Sequence, residues 1–458
     1  MEQSDTPQSS TRRRRWPGVL VVVMLLVGAG LGVTPFVVDV SAPPAGGEVT
    51  WPYLTDIAEF ETLDGPSTDA PIPTAEGLAA ILDPAFSSVR GTVAISVRDG
   101  VSGDEIYAQG ATEALKPASS TKTVTAMAAL ASLGAGYRIP TKVVAGSTDG
   151  EVVLVAGGDV TLTRDGEGYY EEAAQLSALA EQVLDAVDGE VTTLVVDTSI
   201  FADDPIAPGV TTADIAAGNT AKLTPFMVDG GRLDPAATHY SARADDPTGF
   251  AAGQLAELLG ATTVTDGRAS DGAVELGVVY SPTVQRLVEL AMTSSDNLLT
   301  DALARHVAIA AGQEASFAGG AAATLEVIES LGISTQGAVL SDGSGLSQEN
   351  RLTADMLSML VAAAVSDDPN VTGLAASMPV AGYSGSLLDR FDGEGAARGE
   401  VRAKTGTLSG VSSLTGLAVT ADGRWVTFSI IINGHKDSVG AERALDRAAA
   451  ALTDCGCM

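Results

Sequence analysis

Three short stretches of this chain carry residues that together could run acyl transfer on a serine: Ser119-Ser120-Thr121-Lys122, Ser295-Asp296-Asn297 and Lys404-Thr405-Gly406. A serine hydroxyl is a poor nucleophile at its own pKa and needs a nearby base. The histidines are His239, His306 and His435, and none lies close in sequence to a motif serine, so a lysine base is the simpler reading. Ser119 and Lys122 would sit one turn apart on the same face of a helix. An amine held there by burial and by a second cation, Lys404, would have a lowered pKa and could take the serine proton.

Each motif needs an element to place it. Pro117-Ala118 precede Ser119, and Val124, Ala126, Met127, Ala128, Leu130, Ala131 and Leu133 run on, small and apolar nearly all round. That pattern predicts a buried helix with Ser119 at its N-terminus. Apolar spacing predicts one helix from Ser281-Pro282 to about Thr293 and another through Leu298, Leu299, Ala302, Leu303 and Val307. Ser295 and Asn297 then lie on the short loop between them, free to point into a cleft, although such a loop also fits a helix N-cap. Val401 to Leu408, Ser413 to Val419 and Trp425 to Ile432, with a turn at Ala421-Asp422-Gly423, predict an antiparallel sheet edge. Thr405, Gly406 and Thr407 on that edge could pair with an extended peptide by main-chain hydrogen bonds. The backbone N–H groups of Thr407 and Ser119 would form an oxyanion hole.

With these motifs placed, the chain resembles the D-alanyl-D-alanine carboxypeptidase/endopeptidase family, the class C low-molecular-mass penicillin-binding proteins. Pro117-Ala118-Ser119, Asp197-Thr198-Ser199-Ile200-Phe201, Asp342-Gly343-Ser344-Gly345-Leu346-Ser347 and Pro379-Val380-Ala381-Gly382-Tyr383 extend the likeness. So does the long insert between Ser119 and Ser295. There are departures. Val160 replaces a proline in Gly157-Gly158-Asp159-Val160-Thr161-Leu162, and Gln348 stands where the family commonly has an arginine thought to help hold the substrate carboxylate, with Arg351 three residues on. The insert is also short between Arg232 and Ser281.

The resemblance implies an α/β fold: a penicillin-binding transpeptidase-like (serine β-lactamase-like) domain with an inserted, reduced accessory domain. Catalysis would fall to Ser119, Lys122, Ser295, Asn297 and Lys404, and substrate binding to Thr405, Gly406, Thr407, Asp214 and Gln348, with no metal or organic cofactor. Its implied reaction is hydrolysis of D-alanyl-D-alanine on peptidoglycan stem peptides through an acyl-enzyme, inhibited by β-lactams, with endopeptidase action on cross-links. A β-lactamase and a catalytically silent wall-binding protein are the alternatives. In the family an aspartate after Pro-Gly reaches the active site from the insert. Here Pro208-Gly209 leads to Asp214, which would meet the amine of diaminopimelate, though Thr211 and Asp214 also fit a capping box.

The formal charge of −32 argues against any nucleic-acid partner and for a highly soluble exterior. Arg12 to Arg15 precede an uncharged run from Gly18 to Val38, about the length that spans a bilayer. We read residues 1–17 as a cytoplasmic basic tail and 18–38 as a signal anchor, which puts the catalytic part on the cell-wall side. Cleavage of a signal peptide after Ala42 and secretion is the alternative. Residues 41–73, rich in Pro, Gly, Asp and Thr, read as a linker. The catalytic domain would comprise 74–138 and 281–458, and the inserted domain 139–280. Strands are expected at Val152–Ala156 and Thr193–Val196, with a helix at Glu171–Val187 between them. Cys455 and Cys457 suit a terminal disulfide or no function.

Overall fold

The computed structural model describes residues 67–237, 240–366 and 371–456. The basic tail, the apolar run, most of the linker, His239 and Cys457 lie outside the described residues. Among the described residues no helix is long and apolar enough to cross a membrane.

The chain opens with α1 (Ala75–Phe86), whose N-cap Thr74 accepts from Gly77 N–H, and then forms β1 (Thr92–Asp99) and β2 (Glu105–Gln109). A 3-10 turn, Ala118–Ser120, runs into α2 (Thr121–Leu133). Next come β3 (Arg138–Ala145), β4 (Glu151–Val155), α3 (Leu176–Ala186), β5 (Thr193–Asp197), α4 (Thr212–Ala216), α5 (Pro247–Leu259), β6 (Thr263–Asp266) and β7 (Glu275–Thr283). Helices α6 (Val284–Thr293), α7 (Asn297–Ala310), α8 (Phe317–Ser330), α9 (Ala354–Ala364) and α10 (Gly373–Ser377) follow. The chain closes with β8 (Val401–Leu408), β9 (Val411–Val419), β10 (Trp425–Asn433) and α11 (Ser438–Thr453).

Five strands form an antiparallel sheet in the order β2-β1-β10-β9-β8, so the strand carrying Lys404 to Thr407 lies at an edge, as its pattern predicts. α9 packs on one face and α1 with α11 on the other. Burial on both faces explains why β10 reads Phe428-Ser429-Ile430-Ile431-Ile432 with no exposed position. α2 packs against α6, α7, α8 and α9, and Thr121 to Leu130 are all buried, which the small, apolar sequence requires. The second sheet, β6-β5-β4-β3-β7, is mixed: β4, β5 and β6 are parallel and β3 pairs antiparallel with both β4 and β7. α3 and α5 pack together in its hydrophobic core.

Three expectations need correction. Helix α3 starts at Leu176, not Glu171, because Glu172 takes a left-handed φ of 60° and residues around Gln175 pair instead with Thr163. Thr163 N–H donates to Ala174 O and Leu176 N–H to Thr163 O, so the segment is committed to extended pairing. The helix expected from Ser281 starts at Val284, because β7 runs on to Thr283, whose hydroxyl caps α6. The end of the expected linker is docked. Arg424, paired with Asp99 at 2.6 and 2.7 Å, donates to the carbonyls of Ser67, Thr68 and Ala70.

Candidate active site

The 3-10 turn ahead of α2 presents Ser119, and the residue before it is strained. Ala118 has φ 48°, a left-handed value that costs a residue with a Cβ energy, and such strain persists only where surroundings enforce it. The enforcement is visible. Ser413 Oγ on β9 donates to Pro117 O at 2.7 Å and lies 2.8 Å from Ser120 Oγ. β8 passes so close that a Cβ on Gly406 would fall 2.2 Å from Ser413 Oγ and 3.0 Å from Ser119 N, so glycine is needed there. Gly345 is equally constrained, since its Cβ would meet Ala118 O at 1.9 Å.

Lys122, fully buried on the first turn of α2, is surrounded by acceptors. Its Nζ donates to Ser119 Oγ at 3.0 Å, Asn297 Oδ1 at 2.5 Å and Ser344 O at 2.7 Å. An ammonium has three N–H groups, and here each has one acceptor. Loss of one proton leaves two N–H groups for Asn297 and Ser344 and a lone pair facing the Ser119 hydroxyl. Burial pulls the Lys122 pKa from 10.5 to about 8, against the upward pull of Asp301, Asp342 and Asp296. Burial leads, as expected, and the repulsion between the two lysines acts on both. Burial first and Lys122 second hold Lys404 well below the lysine range. Lys404 Nζ donates to Thr405 O at 3.0 Å.

Ser295 occupies the loop between α6 and α7 with φ 56°, the second strained residue in the site, and its hydroxyl has no hydrogen-bond partner among the described residues. Asn297 is not on that loop but is the first residue of α7. The loop reading holds for Ser295 alone, and the cap reading holds because Asp296 caps α7 by accepting from Leu299 N–H at 3.0 Å. Two residues from the stretch between β3 and β7 grip this motif. Tyr170 donates to Asp296 Oδ2 at 2.8 Å, and Asn297 Nδ2 donates to Asn219 O at 2.8 Å. Arg243 in turn donates to Gly218 O and Gly230 O, which fixes the segment carrying Asn219.

On the strand edge, Thr405 Oγ1 donates to Ser386 Oγ at 2.8 Å and exposed Thr407 Oγ1 to Glu442 Oε1 at 3.3 Å. Gln348 is exposed and accepts at 3.0 Å from Lys116, three residues before Ser119. Asp214 closes a full capping box: its N–H donates to Thr211 Oγ1, and its Oδ2 accepts from Thr211 N and Oγ1 at 2.9 and 2.7 Å. The cap reading of Asp214 therefore holds in the geometry, and Oδ1 has no partner among the described residues. The other described histidines are engaged elsewhere. His306 is buried against Phe201, its pKa lowered by burial to about 4, and His435 lies 3.0 Å from Ser412 Oγ.

Sequence reasoning missed the buried carboxylates Asp301 and Asp342. Asp301 accepts from Gly343 N–H, and Asp342 from Gly345 and Ser347 N–H and from Asn350, which together shape the turn that offers Ser344 O to Lys122. Burial and the neighbouring Asp342 push Asp301 well above the usual carboxylate range. A signal existed for Asp301, which lies one helical turn after Asn297. None existed for the carbonyls of Ser344 and Asn219, since any residue supplies one.

A family model described as D-Ala-D-Ala carboxypeptidase 3 (S13) matches residues 76–248 and 234–452. Carboxypeptidase DacB of Mycolicibacterium smegmatis is 39% identical over 401 residues, covering 85% of this chain and 86% of that protein. The D-alanyl-D-alanine carboxypeptidase of an Actinomadura species is 32% identical and covers 79% of this chain and 81% of its own length. The crystal structure of penicillin binding protein 4 from Haemophilus influenzae superposes with a TM-score of 0.68 at 21% identity, covering 80% of this chain and 97% of that one. That structure shares the fold.

Proposed function

The chain belongs to the D-Ala-D-Ala carboxypeptidase 3 (S13) family and is a serine-type D-alanyl-D-alanine carboxypeptidase, and from that premise we propose how its residues divide the work. Ser119 Oγ attacks the carbonyl of the penultimate D-alanine as Lys122 Nζ takes its proton. The oxyanion gathers on the N–H groups of Ser119 and Thr407. The C–N bond then breaks, Lys122 returns the proton to the departing amine, and terminal D-alanine leaves. Water, deprotonated by Lys122, cleaves the ester and restores Ser119. Ser295 and Lys404 flank the reacting atoms, Asn297 orients Lys122, and Thr405, Gly406 and Thr407 bind the peptide along β8. The observation that carries this assignment is the set of three acceptors around Lys122 Nζ, one of them the Ser119 hydroxyl.

Peptidoglycan stem peptides are the proposed substrates, β-lactams the proposed covalent inhibitors, and hydrolysis of cross-links a second proposed activity. Support comes from the names of the relatives and from an open edge strand suited to an extended peptide. Asp214 Oδ1, left open by the cap, is the proposed contact for a diaminopimelate amine. Membrane attachment is proposed from Arg12 to Arg15 and the uncharged Gly18–Val38 run, with residues 74–138 and 281–458 as the catalytic domain and 139–280 as the insert. Incubating residues 67–458 with purified stem pentapeptides should release free D-alanine, and Ser119→Ala should release none. Release by Ser119→Ala at the wild-type rate would defeat the assignment. For the anchor, full-length protein should stay with carbonate-washed membranes; a soluble form beginning near Pro43 would show cleavage.

A further inference from the structure

We propose that Lys116 binds a carboxylate of the peptide substrate, with Gln348 holding its ammonium in position. This deepens the reading of Ser119 as nucleophile and rests on it. A peptide ending in D-alanine carries a carboxylate beside the scissile bond, and moving that charge out of water calls for a counter-charge. Neither motif lysine is suited to supply it. Lys122 must lose its charge to act, and its three N–H directions already go to Ser119, Asn297 and Ser344. Lys404 is fully buried, and its Nζ donates to Thr405 O.

Lys116 differs on each count. It is only partly buried, and its one side-chain partner among the described residues is the neutral amide oxygen of Gln348 at 3.0 Å, which brings no opposing charge. One N–H goes to that oxygen and two stay open for a carboxylate. No carboxylate among the described residues pairs with it, although the chain holds 58 acidic residues against 26 basic ones.

Both ends of the contact are anchored. Asn433 at the end of β10 accepts from Lys116 N–H and donates to Lys116 O, each at 3.0 Å. Gln348 follows the buried Ser347, whose hydroxyl donates to Pro208 O at 2.6 Å, and Arg351 donates to Gln348 O at 2.9 Å. The two residues thus bridge the turn that presents Ser119 and the turn that offers Ser344 O to Lys122. A cation tied to both is fixed relative to the nucleophile, which is what recognition of a charged group next to the scissile bond requires. The amide at position 348 leaves space and charge for the lysine, whereas an arginine there would repel it.

The carboxylates of a stem peptide with this chemistry include that of the terminal D-alanine and, in stems built on diaminopimelate, that of the side chain. Affinity can be read without chemistry in a Ser119→Ala background by calorimetry. Three peptides are compared: one whose only carboxylate is the terminal D-alanine, one with diaminopimelate, and the same one with its side-chain carboxylate amidated. Adding Lys116→Met should weaken binding by roughly tenfold or more, and Lys116→Arg should restore most of it. Loss on all three assigns the terminal carboxylate, and loss only on the peptide with a free side-chain carboxylate assigns that group. A change under about twofold throughout, or equal loss with arginine and methionine, overturns the clamp. Because Ser119 is absent from these measurements, they judge Lys116 separately from the nucleophile, which D-alanine release tests.

Discussion

Asn297 links Asn219 to Lys122: its side-chain nitrogen donates to the main-chain oxygen of Asn219 at 2.8 Å while its oxygen accepts from Lys122 at 2.5 Å. The segment carrying Asn219 therefore bears directly on the residue proposed to orient Lys122. Tyr170 adds a second grip through Asp296. Removing its hydroxyl leaves a half-buried carboxylate oxygen short of a donor, a loss of about 1–3 kcal/mol. Tyr170→Phe should slow acylation by penicillin several-fold and lower the melting temperature. An unchanged acylation rate would show that the insert's grip is not felt at Lys122.

Gly406→Ala should be far more damaging than its size suggests. The added methyl would meet Ser413 Oγ at 2.2 Å and crowd Pro117 O and Ser119 N, so either β8 or the nucleophile's turn must move. We expect acylation to fall by about a hundredfold or more, because small displacements of a nucleophile are costly. Stopped-flow measurement with a chromogenic β-lactam reads this directly.

The acylation rate should follow the neutral fraction of Lys122. With a pKa of about 8, the rate should rise roughly tenfold per pH unit below that value and level off above it. Stability carries the same signature. The folded pKa lies below the 10.5 of the ordinary side chain, so between about 8 and 10.5 the unfolded chain holds more protons, and stability gains with rising pH there. Lys404 is shifted in the same direction and adds to the gain. Denaturation midpoints of wild type and Lys122→Met at pH 8, 9 and 10 should diverge, with only the wild type showing the full gain.

Asp214→Asn separates capping from recognition. Turnover of peptides with a free diaminopimelate amine should fall while peptides lacking that amine and penicillin acylation are spared. Equal change on both peptide types, with a lower melting temperature, would leave Asp214 its capping box alone.

The grouping of the motif residues was legible where side-chain identity sets it. Ser119, Lys122 and Asn297 are brought together in hydrogen-bonding reach, and Lys404 feels the Lys122 charge, as the motif set implies. Helix α2 and strands β8 to β10 followed from apolar patterning because burial dictates both. What escaped notice rests on main-chain partners and long-range contacts. Glu171-Glu172-Ala173-Ala174-Gln175 are good helix formers, yet tertiary pairing with Thr163 overrides them. The docking of Ser67 to Ala70 by Arg424 uses carbonyl oxygens, which leave no mark in the residue types. Lys116 and Gln348 meet only because Asn433 and Ser347 hold their backbones, a fact of the fold and not of either local stretch.

The most direct test of the central claim is the site of covalent attachment. After brief exposure to penicillin, peptide mass mapping should find the penicilloyl group on Ser119, with none on Ser119→Ala and almost none on Lys122→Ala, whose hydroxyl lacks its base. A penicilloyl group on another serine, or undiminished labelling of Ser119→Ala, would contradict the account.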